Sequence, residues 1–306
     1  MLPPQTPGLV EAPLAVSATF FCPKCQNALV ISANIFDAHF HGGGFVCSKC
    51  SEKLKLWDII LKAVRHRFMG IWFSVLGAKC TIYRTKLFLN TETRLNLYEV
   101  GLPKNAVILD INFTGHSMFC TEVQGNTRRQ RNRGGRLQFF GFQTFTTKHV
   151  DLKETTVDVS VTWVETSDAD VAWNNLVSAF DSYADDDYAQ AVIPANVAVE
   201  AKLFPFIERA LSGVAGKGKI TSFLSDAATY SYQLNILLPW IAQNNDLPPF
   251  DPTIVGLLNR LRSTRNSLAH TGKTEQPLDK DQTAELLTAA LFGFRYIDIL
   301  KAKMKW

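Results

Sequence analysis

The sequence predicts a multidomain α+β protein with a cysteine-built metal module, a central antiparallel β-domain and a C-terminal all-α bundle. Three observations carry that prediction. Four of the six cysteines fall in two C-x2-C pairs near the N-terminus. Residues 79–166 alternate short β-branched and aromatic runs with Gly, Asn and Pro turn signals. From Asp168 onward, apolar residues recur at helical spacing to the last residue.

The 306 residues suffice for two or three domains, and a hydrophobic content of 46% supports packed cores. Residues 1–18 hold Pro3, Pro4, Pro7 and Pro13 and read as a flexible leader. They lack the basic start and apolar core of a secretion signal. No apolar run reaches the roughly 18–20 residues of a membrane span, so a soluble cytoplasmic protein is expected. Charge is uneven: residues 1–167 carry 19 Lys+Arg against 12 Asp+Glu, and residues 168–306 carry 13 against 16. Any contact with nucleic acid is therefore weighted to the first half.

Residues 19–55 form the metal module. Cys22-Pro-Lys-Cys25 and Cys47-Ser-Lys-Cys50 are separated by 21 residues. Two residues between thiols let one tight turn present both sulfurs to the same ion, and two such turns complete a tetrahedral four-thiolate site. The expectation is one structural Zn2+ per chain on Cys22, Cys25, Cys47 and Cys50, with no catalytic metal. His39 and His41 lie between the pairs and are spare to a site already complete. The module resembles a zinc ribbon, and Lys24 and Lys49 inside the knuckles favour contact with nucleic acid. Cys80 and Cys120, in apolar surroundings, read as small core residues. Residues 56–78 read as a connecting helix, because Trp57, Ile60, Leu61, Val64 and Phe68 share one face.

In the β-domain, residues 79–166, strands are expected at 81–83, 86–89, 107–111, 137–145 and 157–164 in a small sandwich or barrel. Val157, Val159, Val161 and Trp163 alternate with polar residues, the period of a half-buried strand. Between strands, Arg128, Arg129, Arg131, Arg133 and Arg136 place five arginines in nine residues. Clustered arginines neutralise phosphates with little regard to sequence, so these five are candidate RNA-binding residues. Phe139, Phe140 and Phe142 beside them are assigned mainly to the sheet core, with base stacking as the alternative.

Residues 168–306 are expected to hold five helices at 170–183, 188–211, 222–243, 253–270 and 279–303, the second interrupted by Pro194 and Pro205. The run Asp185-Asp186-Asp187 reads as a solvated helix junction. The fourth helix ends in Arg260-Leu-Arg262-Ser-Thr-Arg265-Asn266-Ser-Leu-Ala-His270, with Gly272 placed to stop it. Arg262, Arg265 and Asn266 are i, i+3 and i+4; Asn266 and His270 are again i, i+4. Guanidinium groups bind phosphate, and an imidazole at a helix C-terminus is favoured in its charged form, which suits a general acid.

Arg265-Asn266-x-x-x-His270 resembles the R-x(4–6)-H motif of HEPN domains, and the bundle matches that family's size and helix order. The Ala-rich second helix with Glu200 is similar to the family's acidic helix. The resemblance implies a homodimer through the C-terminal bundle and metal-independent RNA cleavage by 2′-hydroxyl attack. In that scheme Arg265 stabilises the phosphorane, His270 moves the proton, Asn266 orients, and Glu200 holds Arg265 through a bidentate pair. Arg262 binds RNA. The family implies a toxin or antiphage defence effector, with a possible regulatory protein partner. The competing expectation is a non-catalytic nucleic-acid-binding or dimerising adaptor.

Overall fold

The computed structural model of the chain describes residues 8–15, 18–40, 42–67, 70–88, 91–115, 119–124, 135–143, 154–166, 171–274 and 277–304. It is mixed α+β. The N-terminal part runs β1 (Gly8–Ala15), β2 (Ala18–Phe21), β3 (Ala28–Ile31), α1 (Ala33–Phe40), β4 (Phe45–Val46), β5 (Lys53–Leu54), α2 (Leu56–Arg65) and α3 (Ile71–Leu76). The centre holds β6 (Lys79–Phe88), β7 (Glu92–Asn96), β8 (Ala106–Gly115), β9 (Phe119–Gln124), β10 (Arg136–Gln143) and β11 (Glu154–Glu165). The C-terminal part holds α4 (Val171–Ala184), α5 (Tyr188–Ala210), α6 (Lys217–Ser222), α7 (Tyr230–Tyr232), α8 (Leu238–Asn244), α9 (Pro252–Thr271) and α10 (Lys280–Lys303).

These elements divide into two compact units: residues 1–16 with 77–170, and residues 17–76 with 171–306. The cysteine module and residues 56–76 of the connecting segment thus belong to one unit with the C-terminal helices, and residues 77–78 to the other.

The first unit contains two antiparallel sheets, ordered β1-β6-β11-β8 and β7-β10-β9. Both contribute to a single core: Tyr83, Leu87, Ile108 and Trp163 from one, Leu95 and Leu137 from the other. Along β11, Val157, Val159 and Val161 are buried while the residues between them are half-buried, as the alternation predicts. The Trp163 indole N–H donates to Thr81 Oγ1 at 2.9 Å, satisfying a polar group in the core. Three expectations change. The segments at 81–83 and 86–89 are one strand, β6. β7 has only Leu95 buried, too little apolar patterning to read as a strand. Residues 8–15 of the expected leader form β1, antiparallel to β6 with register shifts. As an edge strand it tolerates Pro13, which a central strand would not.

The second unit is organised on α10. Nearly every residue from Leu286 to Phe294 is buried, so this helix is enclosed on all sides. Gly293 lets a neighbour approach: a Cβ there would lie 3.1 Å from Leu258 of α9 and 3.6 Å from Val199 of α5. The cysteine module packs against the same helix. Phe36 of α1 sits 5.0 Å from Phe292, and Phe40 sits 5.3 Å from Tyr296, between ring centroids. Arg295 donates to Asp37 at 2.6 Å. From α2, Trp57 packs 5.3 Å from Phe292, and Arg65 pairs with Asp281 at 2.9 Å. Asp186, in the expected junction, pairs with Arg67, and Asp187 caps α5 by accepting from the Gln190 N–H.

Two helical expectations are corrected. α5 runs unbroken through Pro194 and Pro205 for 23 residues. Each proline removes one backbone donor, but Ala191, Val192, Ala195, Ala198, Val199, Leu203 and Phe206 are buried along the helix. Their packing outweighs the two lost hydrogen bonds. Conversely, the single helix expected at 222–243 is broken. π-helical turns at Phe223–Ala227 and Gln233–Leu237 flank a break at Ala228. The buried Gln233 amide stabilises that break by donating to the carbonyls of Leu224 at 3.2 Å and Ala228 at 2.8 Å.

Candidate functional site

Each cysteine pair sits in the turn of a short hairpin, β2–β3 or β4–β5. The two turns are built alike. The Cys22 N–H donates to Asn27 O and the Gln26 N–H to Cys22 O, both at 2.9 Å; Cys47 with Glu52, and Ser51 with Cys47, repeat the pattern at 2.9 Å. Gln26 and Ser51 occupy matching left-handed positions, φ 56° and 57°. The turns bring Cys22, Cys25, Cys47 and Cys50 together, with all four sulfurs within 4.8 Å of one another.

The spacing fits a tetrahedral ion. Metal–sulfur bonds of about 2.3 Å give a sulfur–sulfur edge of about 3.8 Å, and two edges here are 3.8 Å (Cys22–Cys50) and 3.7 Å (Cys25–Cys47). The backbone amides of Cys50 and Lys49 favour the Cys47 thiolate and lower its pKa to about 6. At Cys50 the Glu52 amide also favours the anion, yet burial and the surrounding sulfurs push that thiol up to about 12. A bound cation relieves this crowding of charge. Of the two lysines in the knuckles, Lys24 is tied to Glu52 across the module. The spare His39 is half-buried, and desolvation lowers its pKa, opposed by Asp251. His41 lies outside the described residues.

The second cluster lies on α9. Asp251 caps its start by accepting from the Thr253 N–H at 2.7 Å. Gly272 ends it at φ 67°, its N–H bonded to Leu268 O, as the sequence predicts. Ile254, Leu258 and Leu261 form the buried face. Arg265 follows Leu261 by four residues and so continues that inward stripe. Its guanidinium is half-buried, donates to Asn266 Oδ1 at 3.0 Å and holds a buried Nε without a partner. His270 is exposed in the last turn. Five residues at 100° each turn Arg265 and His270 about 140° apart. A single chain does not bring them together, and Asn266 lies between them, about 40° from His270.

The expected bidentate pair between Glu200 and Arg265 is not formed. Glu200 accepts instead from the Asn196 amide at 3.4 Å. Burial raises the Tyr230 phenol pKa, Glu200's charge raises it further and Arg262's lowers it. Glu200 and Arg262 thus both lie near the Tyr230 phenol. Tyr230, which opens α7 just after the break at Ala228, is the buried group beside Glu200. The sequence reasoning missed Asn196 and Tyr230, because a lone amide and a lone phenol carry no motif.

Arg128, Arg129, Arg131 and Arg133 lie outside the described residues. Arg136 opens β10, exposed and opposite Asn96. The backbone of residues 139–142 lies in β10, but the orientation of Phe139, Phe140 and Phe142 falls outside what is described. Among the described residues no helix is long and apolar enough to cross a membrane.

Comparison with models of known families, with curated proteins and with solved structures finds no match to this chain.

Proposed function

We propose that the protein is a metal-independent endoribonuclease of the HEPN type, in which α9 supplies the chemistry and the four cysteines hold one structural zinc. The observation that carries the reading is the end of α9. There, Asn266 holds the Arg265 guanidinium, and His270 stands in solvent one turn on at the negative end of the helix dipole. The substrate's 2′-hydroxyl attacks the adjacent phosphorus. Arg265 stabilises the charge on the phosphorane and Arg262 binds the RNA, while His270 takes up the 2′-hydroxyl proton and protonates the leaving 5′-oxygen. Because Arg265 and His270 diverge on one chain, a complete centre draws on two copies of α9. The arginines of residues 128–136 add salt-dependent affinity for RNA. By this reading the protein is a toxin or defence effector acting in the cytoplasm as a homodimer.

The zinc assignment rests on the sulfur geometry, since four thiolates at a tetrahedral edge of about 3.8 Å suit Zn2+. It gives zinc a purely structural part, holding α1 against α10.

The adaptor reading keeps one observation in its favour. Tyr232, Ile236 and Trp240 expose an apolar stripe at four-residue spacing, a surface suited to pairing with another protein. Incubation of labelled single-stranded RNA with wild-type and His270→Ala protein separates the two. Cleavage by the wild type alone, unaffected by EDTA, supports the nuclease. Equal cleavage by both proteins, or none by either, favours the adaptor.

A further inference from the structure

A groove runs along the outer flank of α9, on the side away from its buried stripe. Thr274, Leu278 and the first turn of α10 lie beside the helix and close a groove of about 160 Å³. Arg260, Ser263, Thr264 and Ser267 form one wall, and Thr274, Leu278 and Gln282 form the other. Among the described residues no carboxylate lines it. Among the described residues, Arg260 has no ion-pair partner, and the hydroxyls of Ser267 and Thr274 have no recorded hydrogen bond. Ser263 and Thr264 differ: their hydroxyls donate to Arg260 O at 2.9 and 2.8 Å, which leaves oxygen lone pairs facing outward as acceptors. Gln282 lies in the first turn of the 24-residue α10, whose positive dipole end is thus at the groove. Asp279 is engaged with that turn, accepting from the Gln282 N–H at 2.7 Å.

We infer that this groove binds one nucleotide of a single-stranded RNA, its phosphate on Arg260, Ser267 and Thr274 and its ribose hydroxyl on Thr264 or Ser263. The Arg260 guanidinium and the hydroxyls beside it select an anion. The back-bonded hydroxyls offer acceptors that a ribose 2′-hydroxyl can use and deoxyribose cannot. Ser267 is i, i+3 to His270, so the bound nucleotide lies within one turn of the group proposed to move the proton. The groove spans two turns of α9, about 10 Å. Its place beside His270 makes it a subsite for the residue flanking the scissile bond. The inference rests on the ribonuclease reading for its biological sense, but not for its test.

Fluorescence anisotropy with a labelled twelve-nucleotide RNA and the His270→Ala protein reads binding without cleavage. Adding Arg260→Gln is expected to weaken binding about tenfold and to lower the log–log salt slope by about 1. Adding Thr264→Val is expected to narrow the preference for RNA over DNA of the same sequence. As a variant-free measurement, RNA should shield Arg260 of the wild-type chain from phenylglyoxal, read by mass spectrometry. Unchanged affinity and slope in a folded Arg260→Gln protein, or Arg260 modified equally with and without RNA, would overturn the inference. So would shielding that follows protein concentration alone, which would put a second copy in the groove. A protein that binds RNA through Arg260 but never cuts it would sink the nuclease reading and leave this one standing.

Discussion

Replacing Cys47 by Ser tests how far the second unit depends on the proposed zinc. Cys47 is 1% exposed, and its sulfur lies 3.7 Å from that of Cys25. Structural Zn2+ sites contribute an apparent free energy of about 10–16 kcal/mol in small zinc modules. That is comparable to the whole stability of a domain, about 5–15 kcal/mol. Loss of one thiolate should therefore unfold the hairpins of the module rather than merely loosen them. The damage should spread along α1. Phe36 is fully buried and Phe40 nearly so, both against α10. Withdrawing a large buried aromatic costs about 3–5 kcal/mol. At about 2–4 °C per kcal/mol for a unit of this size, the loss of even one such ring lowers Tm by about 6–20 °C. Metal analysis should fall from about one zinc per chain to near none. Thermal unfolding, followed by the fluorescence of Trp57 beside Phe292, should shift downward or split into two transitions. A Cys47→Ser protein that unfolds within 2 °C of the wild type would refute the claim that the thiolates anchor α1 to α10.

Two further outcomes follow from the same unit. Asp37→Ala removes the carboxylate that Arg295 reaches at 2.6 Å and leaves a guanidinium whose Nε is already buried without a partner; urea unfolding should show a loss of about 1–3 kcal/mol. Gly272→Ala puts a Cβ at φ 67° in open space, so its cost is conformational alone, about 1–2 kcal/mol, and Gly272→Asn should recover much of it.

What the sequence disclosed, and what it concealed, follows from the range over which each signal acts. The cysteine turns were legible because ligand spacing is local: two residues between thiols dictate the turn, whatever surrounds it. The C-terminal end of α9 was legible for the same reason, since Gly272 acts on the neighbouring turn. Concealed were the effects of distant packing. Pro194 and Pro205 argue locally for a break, and only burial against other helices overrides them. The reverse holds at Ala228, where a buried Gln233 supports a break that the periodicity hides. β1 escaped because prolines mark a loose leader unless the strand lies at a sheet edge. At the candidate site, motif spacing singled out Arg265 and His270, and the same five-residue spacing sets their divergence around the helix. The role assigned to Glu200 required knowing what faces it, and α7 arrives there from thirty residues away.

The central claim, cleavage by the substrate's own 2′-hydroxyl, is tested most directly at the ends of the products. Purified wild-type protein, saturated with EDTA-treated buffer and given a defined single-stranded RNA, should yield 5′ fragments ending in 2′,3′-cyclic phosphate, resolved by mass spectrometry. An RNA with one 2′-deoxy residue at the cut site should remain whole there, because the nucleophile has been removed. His270→Ala should lower the rate by several orders of magnitude, about 3–5 kcal/mol of transition-state stabilisation. Products with 3′-hydroxyl ends, or cutting at the deoxy position, would show water as the nucleophile and contradict the account.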